Sequence, residues 1–399
     1  MIWIMSGTAA LLLAAGWCLF DFACGRKKHR KERSSVLYPR RSGQVTCYKE
    51  GGTFFRDYFE DIKQAEESIY ILFYIFRQDS IGSQLIDLLC RKAEDGVIVR
   101  VMLDRVSSGM TRQGRKKLRN AGVYFAYSQR ISLPFLFYSL QRRNHRKITV
   151  IDEETGYTGG FNVGDEYIGR DPKFGYWRDF HLRVKGEGVQ DLTRQFIADW
   201  HRERPEDDFS SDKNPESLPD GDTTFRFLAT DGDEVLNTFL HMIGRARTRI
   251  YIATPYFIPG PTLQKALLEA AARDVIITII LPAKRDHPLV QEASWSYLEP
   301  LISAGVCVYH FNDGFFHAKA VLIDEQCCDI GSANFDQRSF HLNLEMNTLI
   351  EDKTFIEYIR NILEKDMQHS TLLHLEDVTK RPFSVRIKEK AAHLLEALL

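Results

Sequence analysis

Apolar positions along the chain fall into short unbroken runs separated by amphipathic stretches of helix length, and the order of these runs occurs twice. Ser68-Ile69-Tyr70-Ile71-Leu72-Phe73 reads as a buried strand, Ser83 to Asp95 as a helix, and Val97 to Leu103 as a second strand. Further on, Arg249-Ile250-Tyr251-Ile252, then Thr262 to Arg273, then Val275 to Leu281 repeat those elements in the same order. Each half continues through an Ala-Gly-Val step, Ala121-Gly122-Val123 and Ala304-Gly305-Val306, into another short strand. Strands alternating with helices of about a dozen residues predict α/β architecture. The self-similarity predicts two α/β/α halves of one design, forming a pseudo-twofold pair.

The remaining segments frame those halves. Residues 203–223 are rich in Asp, Glu, Pro and Ser with almost no apolar side chain, the pattern of an acidic surface linker. At the N-terminus the chain is apolar from Ile2 to Phe20, interrupted only by Ser6 and Thr8 before Asp21. Such a run roughly matches a bilayer core of about 30 Å. It has neither a clear positive n-region nor a small-residue cleavage site, which disfavours a removed signal segment. Arg26, Lys27, Lys28, Arg30, Lys31 and Arg33 follow at once, so the expectation is a single-pass helix in the cell membrane with the catalytic domain cytoplasmic. The predicted organisation is a transmembrane anchor over residues 1–25, a basic juxtamembrane linker over 26–45, halves over 46–202 and 224–380 separated by the linker 203–223, and a C-terminal amphipathic helix over 381–399. In that last segment Leu394, Leu395, Leu398 and Leu399 recur at helical spacing near Arg386, Lys388 and Lys390, which fits an interfacial helix or one packed on the domain.

Composition narrows the classes. With 44% apolar and 27% charged residues among 399, the chain is an ordinary globular sequence. A net charge of -1 gives no global attraction to nucleic acid, and the near-neutral body counts against a nuclease, which should show a basic groove. Seven cysteines, an odd count with no CxxC pair, argue against a disulfide framework or a cysteine metal site and for a reducing compartment.

The chemistry sits in two copies of one motif. His145-Arg146-Lys147 is followed by Asp152, and His317-Ala318-Lys319 by Asp324, each Asp seven residues after its His. Both continue into small-residue clusters, Gly159-Gly160-Phe161-Asn162 and Gly331-Ser332-Ala333-Asn334, each Asn seventeen residues after its His. Two matched copies inside a wider repeat are not an accident of composition. Ile148-Thr149-Val150-Ile151 and Ala320-Val321-Leu322-Ile323 make each motif open a strand, where residues i and i+2 share a face. His145 therefore projects with Lys147, and His317 with Lys319.

If the halves face each other, two imidazoles and two ammonium groups converge. One imidazole attacks phosphorus while the other protonates the leaving oxygen. Lys147 and Lys319, the amides of Asn162 and Asn334, and the Ser332 hydroxyl are the candidate phosphate ligands. Asp179 and Glu345 are candidate carboxylates to orient the two histidines. Asp152 and Asp324 complete the candidate catalytic set but begin turns, so they are expected to brace the site without touching substrate. No metal or other cofactor is expected, because the lysines supply positive charge and oppose a bound cation. Ahead of the first motif lie eleven residues more than ahead of the second, including Ile131-Ser132-Leu133-Pro134-Phe135-Leu136-Phe137-Tyr138. This apolar loop either lines a lipid entry or packs on the core.

These residues resemble the paired HxK(x)4D(x)6GSxN motifs of the phospholipase D superfamily, with Gly160 standing where the pattern has Ser. Within it, Gly159 to Tyr167, Trp177-Arg178-Asp179, Thr254-Pro255-Tyr256-Phe257 and Gly331 to Phe340 resemble bacterial cardiolipin synthases from about residue 45 onward. One apolar segment where many members have two makes this chain similar to a shorter member. The resemblance implies phosphatidyl transfer through a phosphohistidine, from one phosphatidylglycerol to another, giving cardiolipin and glycerol. It implies those lipids as partners, no nucleic acid, and no second chain to complete the site. Which His is the nucleophile stays open. So do a phospholipase D-type hydrolase, another alcohol as acceptor, and a catalytically inactive membrane scaffold.

Overall fold

The computed structural model describes residues 2–211 and 221–398, with side chains of the first helix described from residue 13 onward. The first half contains strands β1 (Val36–Leu37), β2 (Arg41–Glu50), β3 (Ser68–Phe73), β4 (Ile98–Asp104), β5 (Tyr124–Ser128), β6 (Ile148–Ile151), β7 (Thr155–Gly159) and β8 (Trp177–Gly186). The second contains β9 (Thr223–Asp231), β10 (Arg249–Ala253), β11 (Ile276–Pro282), β12 (Cys307–Phe311), β13 (Phe315–Phe316), β14 (Ala320–Ile323), β15 (Cys327–Gly331), β16 (Leu344–Ile350) and β17 (Ser370–Leu372).

The halves have the same strand order. In the first, β3, β4 and β5 run parallel, joined through helices Ser80–Glu94 and Arg112–Asn120, while β6, β7, β8 and β2 continue antiparallel from β3. In the second, β10, β11 and β12 are the parallel set and β14, β15, β16 and β9 the antiparallel one. Every residue of β3 is buried, as its unbroken apolar pattern requires. Strands β2 and β9 pair with each other, so the two sheets join edge to edge. A shared apolar core draws Leu72, Leu182, Phe225, Leu322 and Met346 from both halves, and a further cluster lies under the helices of each half.

Two expected boundaries are corrected. The basic segment 26–45 is not a linker: the first helix runs Ile2–Glu32, and β2 starts at Arg41. Residues 203–223 are not wholly a surface linker, because Glu203 and Phe209 are buried and Phe209 packs on Tyr70 and Phe196. Burying one such ring contributes about 1.5–3 kcal/mol, enough to fold a polar segment back onto the body; residues 212–220 lie outside those described. The C-terminal helix, Phe383–Leu394, packs on the helix Val290–Ser303 through buried Ala392 and the Tyr297–His393 ring contact. Among the described residues no helix is long and apolar enough to cross a membrane, and the first part of the expected anchor lies where side chains are not described.

Candidate active site

Asp152 and Asp324 sit at the far ends of β6 and β14, in left-handed backbone with φ of 51° and 52°, a conformation Asp tolerates. The Asp152 carboxylate accepts the backbone N–H groups of Glu66, Glu67 and Ser68 at 2.7–2.9 Å. Asp324 accepts those of Arg247, Thr248 and Arg249 at 2.9–3.0 Å. Each aspartate thus clamps the entry of the neighbouring parallel strand, β3 or β10, to its own motif strand. Neither lines the cavity at the other end.

That cavity, about 880 Å³, is bordered by both His145 and His317, together with Asn162, Asn334, Trp177 and Tyr256. The halves reach it by exchanging backbone pairs. His145 N–H donates to Leu344 O at the start of β16 (2.9 Å), and Leu344 N–H donates to Arg143 O (2.9 Å). Symmetrically, β13 runs parallel to the start of β8, and His317 N–H donates to Arg178 O (2.7 Å).

This exchange decides which carboxylate serves which histidine. His145 Nδ1 donates to Glu345 Oε2 at 2.9 Å, and His317 Nδ1 donates to Asp179 Oδ2 at 2.5 Å. Both pairs cross between halves, although each carboxylate follows the other motif's histidine in sequence. With Nδ1–H held, Nε2 of each ring is left as the reacting nitrogen.

The lysines lie beside the imidazoles and not among the residues lining the cavity. Lys147 Nζ donates to His145 O (2.8 Å) and Lys319 Nζ to His317 O (2.5 Å); Lys319 Nζ is also 3.6 Å from Asp179. Burial pushes Lys147 down to about 7 and lowers Lys319 as well. Burial lowers both histidines, His317 to about 4, with the adjacent lysines adding to the effect and the carboxylates opposing it. For Glu345 burial acts upward, but His145, Lys147 and the Ser332 hydrogen bond outweigh it and hold the carboxyl at about 2. Asp179 is lowered against its burial by Lys319 and His317. Burial and the lysines thus favour the neutral form of both imidazoles, each resting on a carboxylate.

Ser332 does not face the cavity as expected of a phosphate ligand. Its Oγ donates to Glu345 Oε2 (2.5 Å) and accepts from Met346 N (2.9 Å), because the buried carboxylate needs a donor. Gly160, where the repeat has no Ser, is explained by crowding: a Cβ there would stand 2.1 Å from Asp179 Oδ1. The long carboxylate Glu345 goes with Ser, and the short one, Asp179, with Gly. Asn162 reaches the wall, with Oδ1 accepting from Ile75 N (3.1 Å) and Nδ2 donating to Tyr167 OH (3.2 Å). Asn334 also reaches it, its Nδ2 donating to Asp336 Oδ2 (3.0 Å).

Aromatic rings hold the histidines, and of these Tyr74 was not singled out from the sequence, whereas Trp177 and Tyr256 lie in stretches quoted for the resemblance. Tyr74 meets His145 edge-on, with centroids 4.7 Å apart, and lies 5.5 Å from Lys147 Nζ. Trp177 lies 5.0 Å and Tyr256 6.5 Å from the His317 ring. A tyrosine just beyond β3 and another just beyond β10 was the available signal.

Two like halves that close a single cavity with paired His-x-Lys motifs have the fold of the phospholipase D superfamily. More narrowly, the chain belongs to the family described as cardiolipin synthase, PLD-like domain, which matches residues 58–200 and 239–367. It is 38% identical over 382 residues to the minor cardiolipin synthase ClsB of Bacillus subtilis, covering 96% of each chain. To the major cardiolipin synthase ClsA of the same organism it is 37% identical over 362 residues, covering 89% of this chain and 75% of that one. Among solved structures, the phosphatidylserine synthase of Haemophilus influenzae is similar in fold, with a TM-score of 0.71 at 17% identity, covering 94% of this chain and 100% of that one.

Proposed function

We propose that this chain is a cardiolipin synthase that transfers a phosphatidyl group between two phosphatidylglycerol molecules through a phosphohistidine. The observation that carries the reading is the pair of histidines on one cavity, each held at Nδ1 by a buried carboxylate from the opposite half. One Nε2 attacks the phosphorus of the first lipid. The bond from phosphorus to the glycerol headgroup breaks, and the other imidazole, protonated once the anionic phosphate is bound, gives that oxygen its proton. The same imidazole then takes the proton from the primary hydroxyl of the second phosphatidylglycerol. That oxygen attacks phosphorus, the P–N bond breaks, and cardiolipin leaves. Lys147 and Lys319 hold the equatorial oxygens as charge develops, exchanging their carbonyl contacts for the phosphate. Asn162 and Asn334 present amides from the wall. His181, deep behind the site and lowered by burial to about 3, stays neutral and takes no part.

The apolar run and the cations after it support a membrane location with the catalytic body on the cytoplasmic side.

The test is product analysis on labelled phosphatidylglycerol. Cardiolipin and glycerol are expected from the wild type, and His145→Ala and His317→Ala are each expected to abolish both. Phosphatidic acid without cardiolipin would replace the synthase reading with hydrolysis. Near-normal turnover in either variant would mean that the histidines do not share one site.

A further inference from the structure

The first helix changes character at Asp21. Leu13, Trp17, Leu19 and Phe20 are exposed, with Leu13 and Leu19 more than 70% open. From there Asp21, Gly25 and His29 are buried at four-residue intervals, the spacing of a single helix face. The body they meet is the apolar loop ahead of His145. Asp21 accepts the Tyr138 N–H (2.8 Å), Phe22 packs edge-on against Phe137 and Tyr138, and a side chain at Gly25 would strike Tyr138. His29 bridges the Tyr138 hydroxyl to Asp231 (2.8 Å to the carboxylate), which also takes Arg142 on both oxygens at 2.7 Å.

Tyr138 is buried, but the rest of the loop is not consumed by this packing. Ile131, Leu133, Leu136 and Leu140 remain exposed, Leu133 by 81%, on the segment that meets the helix from Asp21 onward. Past Phe20 the same helix exposes Lys27, Lys28, Arg30 and Lys31. The loop also adjoins the site: Gln141 O accepts from Arg338, a residue of the cavity wall, and His145 follows four residues later.

We propose that this loop and the helix around Phe20 form one docking platform for an anionic lipid leaflet, with Ile131, Leu133 and Leu136 inserted at the boundary of headgroups and acyl chains. Three features select that occupant. Along the helix, exposed apolar side chains up to Phe20 give way to exposed cations from Lys27, which is the layering of an anionic leaflet. Before Phe20 the sequence is apolar back to Ile2 apart from Ser6 and Thr8. The loop is tied to the cavity wall by the Gln141–Arg338 hydrogen bond. The proposal rests on the phosphatidylglycerol reading and adds that lipid reaches His145 directly from the leaflet under the loop.

The full chain is assayed with phosphatidylglycerol in two forms: long-chain lipid in vesicles, and a short-chain analogue dispersed as monomers. In the triple variant Ile131→Ser/Leu133→Ser/Leu136→Ser, turnover on vesicles is expected to fall at least about tenfold, since each 1.4 kcal/mol of lost insertion is a factor of ten. Turnover on monomers is expected to stay within about twofold. Equal losses on both forms would make the loop structural, and no loss on either would remove it from docking; both outcomes overturn the proposal. Independently, the added emission of Leu133→Trp is expected to shift blue on phosphatidylglycerol vesicles and to be quenched by brominated acyl chains. An unshifted emission overturns docking, whereas a wild type that docks but makes no cardiolipin overturns only the reading of function.

Discussion

At the scale of single residues, the two copies of the motif differ because their carboxylates differ by one methylene. Glu345 reaches His145 with room for Ser332 Oγ beside it, whereas Asp179 lies directly against Gly160. The missing Ser of the first cluster is therefore a steric consequence of the shorter acid and not a lost phosphate ligand. Restoring the pattern with Gly160→Ser should do harm: a Cβ 2.1 Å from Asp179 Oδ1 must push that carboxylate off His317. Overpacking of this kind costs about 1–3 kcal/mol, so the thermal midpoint should fall and cardiolipin formation should drop with it. A Gly160→Ser enzyme with wild-type turnover would show that Asp179 does not need its position.

At the scale of elements, the middle residue of the first motif matters more than its variable place in the pattern suggests. Arg146 is 1% exposed, pairs with Asp199 at 2.5 and 2.7 Å, and donates to Glu345 O and Thr230 O, tying the approach to β6 to the helix Gly188–Glu203, to β16 and to β9. The equivalent Ala318 is buried without such ties. Arg146→Ala leaves Asp199 charged and alone, and should cost about 3–5 kcal/mol in urea unfolding; an Arg146→Met/Asp199→Leu pair should recover most of it. A loss below about 1 kcal/mol for the single variant would mean that water reaches Asp199. This element shows where sequence reading stops. Strands such as β3 and β10 were legible because they are buried on both faces, so their apolar runs are uninterrupted. The turn-forming role of Asp152 and Asp324 was legible because it is local. Burial of His29, Phe209 and Arg146 was not, since each looks like one polar or isolated residue until a distant partner is placed beside it.

At the scale of the whole molecule, the pseudo-twofold is functional because the halves exchange parts. Sequence distance suggests Asp179 for His145 and Glu345 for His317. The parallel pairing of β13 with β8, and of the run-in to His145 with β16, delivers the opposite assignment. Neither half holds a complete histidine–carboxylate pair, so the two titrations belong to the joined molecule and can be separated by mutation. Each carboxylate raises the affinity of its imidazole for a proton, against burial and the neighbouring lysine. Removing that charge, with Glu345→Gln for His145 or Asp179→Asn for His317, must lower the corresponding histidine further. The nucleophile must be unprotonated, so in its variant the acid limb of kcat, which reports the lipid-bound site, moves to lower pH. The leaving-group acid must be protonated, so in its variant the alkaline limb moves to lower pH and activity near neutrality is lost. Profiles recorded from about pH 4 to 9 should show the two variants displacing opposite limbs, and the variant that loses its alkaline limb names the acid. Displacement of the same limb in both would mean that the two histidines do not divide the roles of nucleophile and acid.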